Sequence, residues 1–75
     1  MMESSRSTPL PGLAGHRRKK GLTQRQLGEL AGVAHTTVQN LESLRRGAYP
    51  QTLRKLATAL GVAPDELLHG ESSQL

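Results

Sequence analysis

Between Leu22 and Glu42 the chain reads LTQRQLGELAGVAHTTVQNLE, two short helical patterns joined at Gly32-Val33-Ala34, and no other stretch limits the fold so tightly. Thr23 can cap the first pattern, Gln26 can close a capping box three residues later, and Leu22 can staple onto Leu27. Gly32 stands where the chain must leave a helix in a left-handed conformation, which glycine reaches without a side-chain clash. A larger residue there is expected to splay the corner. Leu27, Leu30 and Ala31 form one inward stripe, and Gly28 is small where a second helix must come close. Glycine inside a helix costs about 1 kcal/mol against alanine, so its place at 28 calls for a packing reason.

The second pattern, drawn as a wheel at about 100° per residue, turns Val38 and Leu41 inward with Ala34 near the same side. Thr36, Gln39, Asn40 and Ser43 then point outward, with His35 on the flank. That face is polar and uncharged, made of donors and acceptors of the kind that read base edges. A solvated helix face has the same composition. Its position directly after the corner favours the reading role, because two helices on so short a corner form a helix-turn-helix, the unit that sets one helix into the DNA major groove.

The charge is distributed unevenly. From Leu10 to Pro64 nine Lys or Arg face only Glu29 and Glu42, so this span carries +7, while the remainder is acidic and brings the whole chain to +4. His16-Arg17-Arg18-Lys19-Lys20 with Arg25 lies before the corner and Arg45-Arg46 after it. Runs that bracket the motif point to phosphate contact, although a solubilising surface uses the same residues. Tyr49 is the one aromatic residue, so there is no stacking platform for single strands, and an RNA-binding role ranks below duplex DNA.

At 75 residues the chain is read as one small domain without disulfide or metal support. No apolar run reaches membrane-spanning length and MMESSRSTP lacks the apolar core of a signal peptide, so a soluble cytoplasmic protein without membrane association is expected. Residues 1–9 are expected to be a disordered tail, 10–70 the folded domain and 71–75 a second tail. The fold expected is all-α, a compact bundle of five helices. The first runs from Leu10 or Gly12 to Lys20 and is closed by Gly21, and the corner pair follows. Leu53, Leu56, Ala57 and Leu60 mark the fourth, ended by Gly61. The last starts near Pro64, with Asp65 and Glu66 in its first turn and Leu67 and Leu68 packing it down.

Taken together, Gly21-Leu22-Thr23-Gln24, Leu27, Gly32-Val33, Thr37-Val38, Leu41-Glu42, Thr52-Leu53, Leu56-Ala57, Ala59 to Val62 and Asp65 to Leu68 resemble the phage repressor and Cro-like helix-turn-helix family, also called XRE. The resemblance covers about Leu13 to Leu68 and implies a lambda-repressor-like bundle. It implies that His35, Thr36, Gln39 and Asn40 meet base edges. Gln24 resembles a glutamine that holds a backbone phosphate and packs toward the reading helix. Thr23, Arg25, Ser43, Arg45 and Arg46 join it as expected phosphate ligands. Arg17 and Glu42 match an ion pair across the bundle, which makes Arg17 structural.

Three residues depart from the family pattern. Leu44 replaces the glycine that ends the reading helix, so that helix is expected to run on toward Gly47. Ala34 replaces a polar cap typically worth about 1 kcal/mol. His16 replaces a leucine and reads as a histidine at the core edge.

Catalysis is not expected: no spacing sets a nucleophile beside a base, and there is no phosphate cradle or carboxylate pair. Nor do three scattered histidines without cysteine form a metal site, and no cofactor is implied. The leading expectation is a sequence-specific double-stranded DNA-binding transcriptional regulator, a repressor acting as a homodimer on a palindromic operator. Its dimer surface would lie near Leu67, Leu68 and the C-terminal tail. The competing expectation is a protein-interaction module, an adaptor or antitoxin whose bundle mainly holds a protein partner.

Overall fold

Residues 7–69 are described by a computed structural model. They form helices α1 (Leu13–Lys19), α2 (Gln24–Ala31), α3 (His35–Glu42) and α4 (Pro50–Leu60), then a 3-10 helix over Pro64–Leu68. Four α-helices and a 3-10 turn thus stand where five helices were expected. Pro64 does open the last element, but that element is only five residues long before the chain extends at His69. So short a segment closes on i to i+3 bonds, as Glu66 N–H to Ala63 O at 3.0 Å shows. The first helix also starts later than expected, at Leu13, with Leu10 buried just ahead of it.

The α2 N-terminus follows its local sequence. Thr23 Oγ1 accepts from the Gln26 N–H at 3.0 Å, and Gln26 Oε1 accepts from the Thr23 N–H at 2.8 Å. α2 packs on α3 and α4, while the 3-10 helix closes against α4 and α1. Leu10, Leu13, Leu27, Val38, Leu41, Leu56, Leu60 and Leu67 are each at most 1% exposed and form one core. Leu30 does not join them: it is 61% exposed, because α3 and α4 cover the α2 stripe at Leu27 and Ala31 but not its outer edge. Ala34 is also exposed, as the extended cap residue of α3 rather than an inward one.

Gly28 and Gly32 serve different needs. A Cβ on Gly28 would lie 2.8 Å from the Val33 carbonyl oxygen and 3.4 Å from the His35 backbone, so glycine lets the start of α3 sit directly on α2. At Gly32 a Cβ would meet nothing within 4 Å, which removes the expected steric splaying; the requirement there is the left-handed φ of 73°.

The four α-helices leave by the same device, a left-handed residue followed by a 6→1 backbone bond. These bonds are Leu22 N–H to Arg17 O (3.2 Å), Val33 to Gly28 (2.9 Å), Arg45 to Asn40 (3.0 Å) and Val62 to Ala57 (3.1 Å). The left-handed residues are Gly21, Gly32, Leu44 and Gly61. α3 therefore stops at Glu42 instead of running toward Gly47, and Leu44 itself adopts φ 61°.

Of the segment read as a disordered tail, residues 1–6 lie outside the described residues, as does the 71–75 tail. Thr8 is fixed, exchanging hydrogen bonds with Ala48 in both directions at 2.9 and 2.8 Å. Gly47 makes that approach possible, since a Cβ there would lie 2.7 Å from the Thr8 backbone.

Candidate nucleic-acid interface

The end of α3 is held by a cluster of hydrogen bonds around Glu42. Its Oε2 accepts from Arg17 Nε at 2.6 Å, and its Oε1 accepts from Arg17 Nη2 at 3.0 Å and from Gln24 Nε2 at 2.9 Å. Arg17 Nη1 donates in turn to the Leu22 carbonyl at 2.8 Å. One guanidinium thus ties α1, the turn into α2 and the last residue of α3 together. The arrangement is the bidentate fork that suits arginine and not lysine.

Burial pushes the Glu42 carboxyl up, but the hydrogen bonds from Arg17 and Gln24 and the charges of Arg17 and Arg18 outweigh it and hold the group below its ordinary value. The hydrogen bond to Glu42 raises Arg17, against an opposing effect of burial. Both side chains are nearly covered, at 12% and 7% exposed. Arg17 is therefore committed inside the bundle.

This clamp determines what α3 presents. Glu42 is the one carboxylate in the helix, which holds no Lys or Arg, and it is turned inward. Thr36, Gln39 and Ser43 are exposed, whereas His35 and Asn40 are half-buried at the edges of the same face. The Ser43 hydroxyl donates to the Asn40 carbonyl at 3.2 Å, which leaves its lone pairs free. No side chain caps the α3 N-terminus.

Around this face the structure divides the basic residues that run together in sequence. Arg25 is exposed in the first turn of α2 beside Thr23, and Arg45 and Arg46 are exposed in the loop after α3. Arg17 is drawn inside. Lys20 extends to the far end of α4, its Nζ 3.6 Å from the Cβ position on Gly61, where the carbonyl end of the helix favours a cation. His16 is half-buried on α1.

Gln24 is the expected site residue whose geometry links two elements, since its amide already bonds α3 and retains an oxygen for a further partner. A recess of about 270 Å³ opens beside Arg46, lined also by Ser7, Thr37, Tyr49 and Thr52. Ser7, Thr37, Tyr49 and Thr52 are not among the site residues expected from the sequence; Tyr49, as the sole aromatic, is the available signal. Leu67 is 0% exposed and Leu68 is partly buried against the core, while the C-terminal tail, the rest of the surface expected to form a dimer, lies outside the described residues. Among the described residues no three His, Cys, Asp or Glu side chains gather as metal ligands, and no helix is long and apolar enough to cross a membrane.

The sequence family described as Helix-turn-helix matches residues 15–67. Among solved structures, the restriction-modification controller protein C.AhdI from Aeromonas hydrophila is 38% identical with a TM-score of 0.71, over 73% of this chain and 83% of that one. The P22 c2 repressor, solved in complex with a synthetic operator, is 29% identical with a TM-score of 0.72, over 79% and 89%. The clp gene regulator ClgR from C. glutamicum is 30% identical with a TM-score of 0.70, over 84% and 83%. No curated protein matches the chain significantly. The proteins matched are regulators and not enzymes.

Proposed function

Because the chain belongs to the XRE-type helix-turn-helix family, whose level of function is DNA-binding regulation of transcription, we propose that it is a sequence-specific repressor reading the major groove of duplex DNA with α3. The observation that carries the reading is the withdrawal of Glu42. With that carboxylate held by Arg17 and Gln24, the outer face of α3 offers Thr36, Gln39 and Asn40 with His35 at its start, and no negative charge to repel phosphate.

In this reading His35, Thr36, Gln39 and Asn40 meet base edges, where hydroxyl, amide and imidazole groups match the donor and acceptor pattern of the major groove. Thr23, Gln24, Arg25, Ser43, Arg45 and Arg46 meet the backbone on either side of it and fix the docking angle. One module of this size makes few contacts. Two copies on a palindromic operator, one helical turn apart, supply the affinity that a regulator needs. Repression follows from occupancy, by a P22 c2-like bundle sitting on its operator.

The test is a titration at two salt concentrations, on the duplex recovered by selection from random sequences and on random DNA. Asn40→Ala is expected to weaken the selected site more than random DNA, and Arg46→Ala to weaken both and flatten the salt dependence. Equal losses on both DNAs for Asn40→Ala would defeat the base-reading assignment. The protein-interaction reading draws on exposed Leu30. It predicts elution from a heparin column at low salt, whereas a DNA-binding +7 span predicts retention.

A further inference from the structure

Three of the four left-handed helix exits use glycine, and the fourth is Leu44. A leucine at φ 61° crowds its Cβ against the following carbonyl, a cost that glycine avoids in the same motif. Packing does not offset it, because Leu44 is 54% exposed. The fold thus holds an apolar side chain in solvent at a position where the chain itself shows glycine to be the unstrained choice. Strain kept without burial marks a residue whose partner lies outside the folded chain.

The chemistry around Leu44 selects that partner. Ser43 and the exposed guanidinium residues Arg45 and Arg46 are its sequence neighbours, and no acidic residue occurs between Ser43 and Tyr49. This surface attracts a polyanion and repels a second copy of itself. A DNA strand joins phosphates to apolar deoxyribose C–H surface and thymine methyls, so it matches both halves of the Leu44-Arg45-Arg46 segment.

We propose that Leu44 is a DNA-contacting residue, packing on the sugar edge or a thymine methyl at the rim of the groove while Arg45 and Arg46 meet the adjoining phosphates. The proposal rests on the DNA-binding reading of α3 and adds to it an apolar contact. The left-handed exit is what holds that contact in place.

The experiment compares full-length wild type with Leu44→Gly, Leu44→Ala and Arg46→Ala, by thermal unfolding and by titration of the selected duplex. Leu44→Gly removes strain and contact together, so its midpoint is expected to rise by about 4 °C while its affinity falls about tenfold. Leu44→Ala, which keeps the left-handed conformation, is expected to lose a similar affinity without the thermal gain. Wild-type affinity in Leu44→Gly, with Arg46→Ala weakened, would overturn the proposal and leave the DNA reading intact. So would a loss confined to Leu44→Gly, which would assign the effect to loop flexibility, or a loss seen only when two copies bind, which would assign Leu44 to a protein contact. If wild type itself fails to bind any selected duplex, the underlying reading falls as well.

Discussion

The guanidinium of Arg17 and the carboxylate of Glu42, 25 residues apart in sequence, meet side-on through two hydrogen bonds of 2.6 and 3.0 Å. The pair joins the first helix to the end of the third, and its geometry depends on both partners. Replacing either one leaves the other charged, nearly covered and without an ion-pair partner. Arg17→Met and Glu42→Leu are each expected to cost about 3 kcal/mol in urea unfolding. The double variant is expected within about 1 kcal/mol of wild type, because no unpaired charge remains. A double variant as unstable as the sum of the singles would show that the pair contributes more than its own neutralisation.

The same pair sets an acid limit. The folded Glu42 carboxyl binds its proton more weakly than the unfolded one, so its contribution is complete above the ordinary glutamate value and fades as the pH falls toward the lowered one. Wild type is expected to exceed Glu42→Gln in stability at neutral pH, and the gap to narrow below about pH 4.3. Unfolding midpoints measured from pH 7 down to pH 3 test this, and a gap that stays constant would contradict it.

Two glycines four residues apart are expected to fail differently. Gly28→Ala drives a Cβ to 2.8 Å from the Val33 carbonyl and should shift the start of α3, lowering stability by about 2 kcal/mol and DNA affinity with it. Gly32→Ala meets no atom and carries only the left-handed cost, about 1 to 2 kcal/mol. Its affinity, measured well below the melting point, is expected to stay near wild type.

The α3 N-terminus lacks a side-chain cap, since Ala34 supplies no oxygen there. Ala34→Ser is expected to raise stability by about 1 kcal/mol through a bond to the first-turn amides. Calorimetry measures it directly, and an unchanged midpoint would mean that those amides are already satisfied by solvent.

Local chemistry was legible in the sequence and distant geometry was not. The Thr23 and Gln26 capping box depends on residues three apart and could be read directly. The core positions Leu27, Val38, Leu41, Leu56 and Leu60 followed from a 3.6-residue period. Leu30 obeys the same period and still faces solvent, because the width of an apolar stripe is set by the helices that cover it. The exit at Leu44 carries no glycine to announce it, and the Arg45 N–H to Asn40 carbonyl bond that completes it forms despite the strained leucine between them. Within the basic run from His16 to Lys20 the family resemblance marks Arg17 as structural, and the pair with Glu42 agrees; that Lys20 reaches toward Gly61 depends on how the helices pack and has no signal in the sequence.

The bond pair between Thr8 and Ala48 has a practical corollary. It pins the incoming polypeptide against the loop that carries Arg45 and Arg46, one residue from Gly47. Any affinity tag or fused partner attached upstream of Thr8 is consequently delivered to the edge proposed to dock on the double helix, where its bulk and charge would compete for space. Labels for single-molecule or crystallographic work are better attached after His69, whose backbone lies against Gly12 and not against that loop.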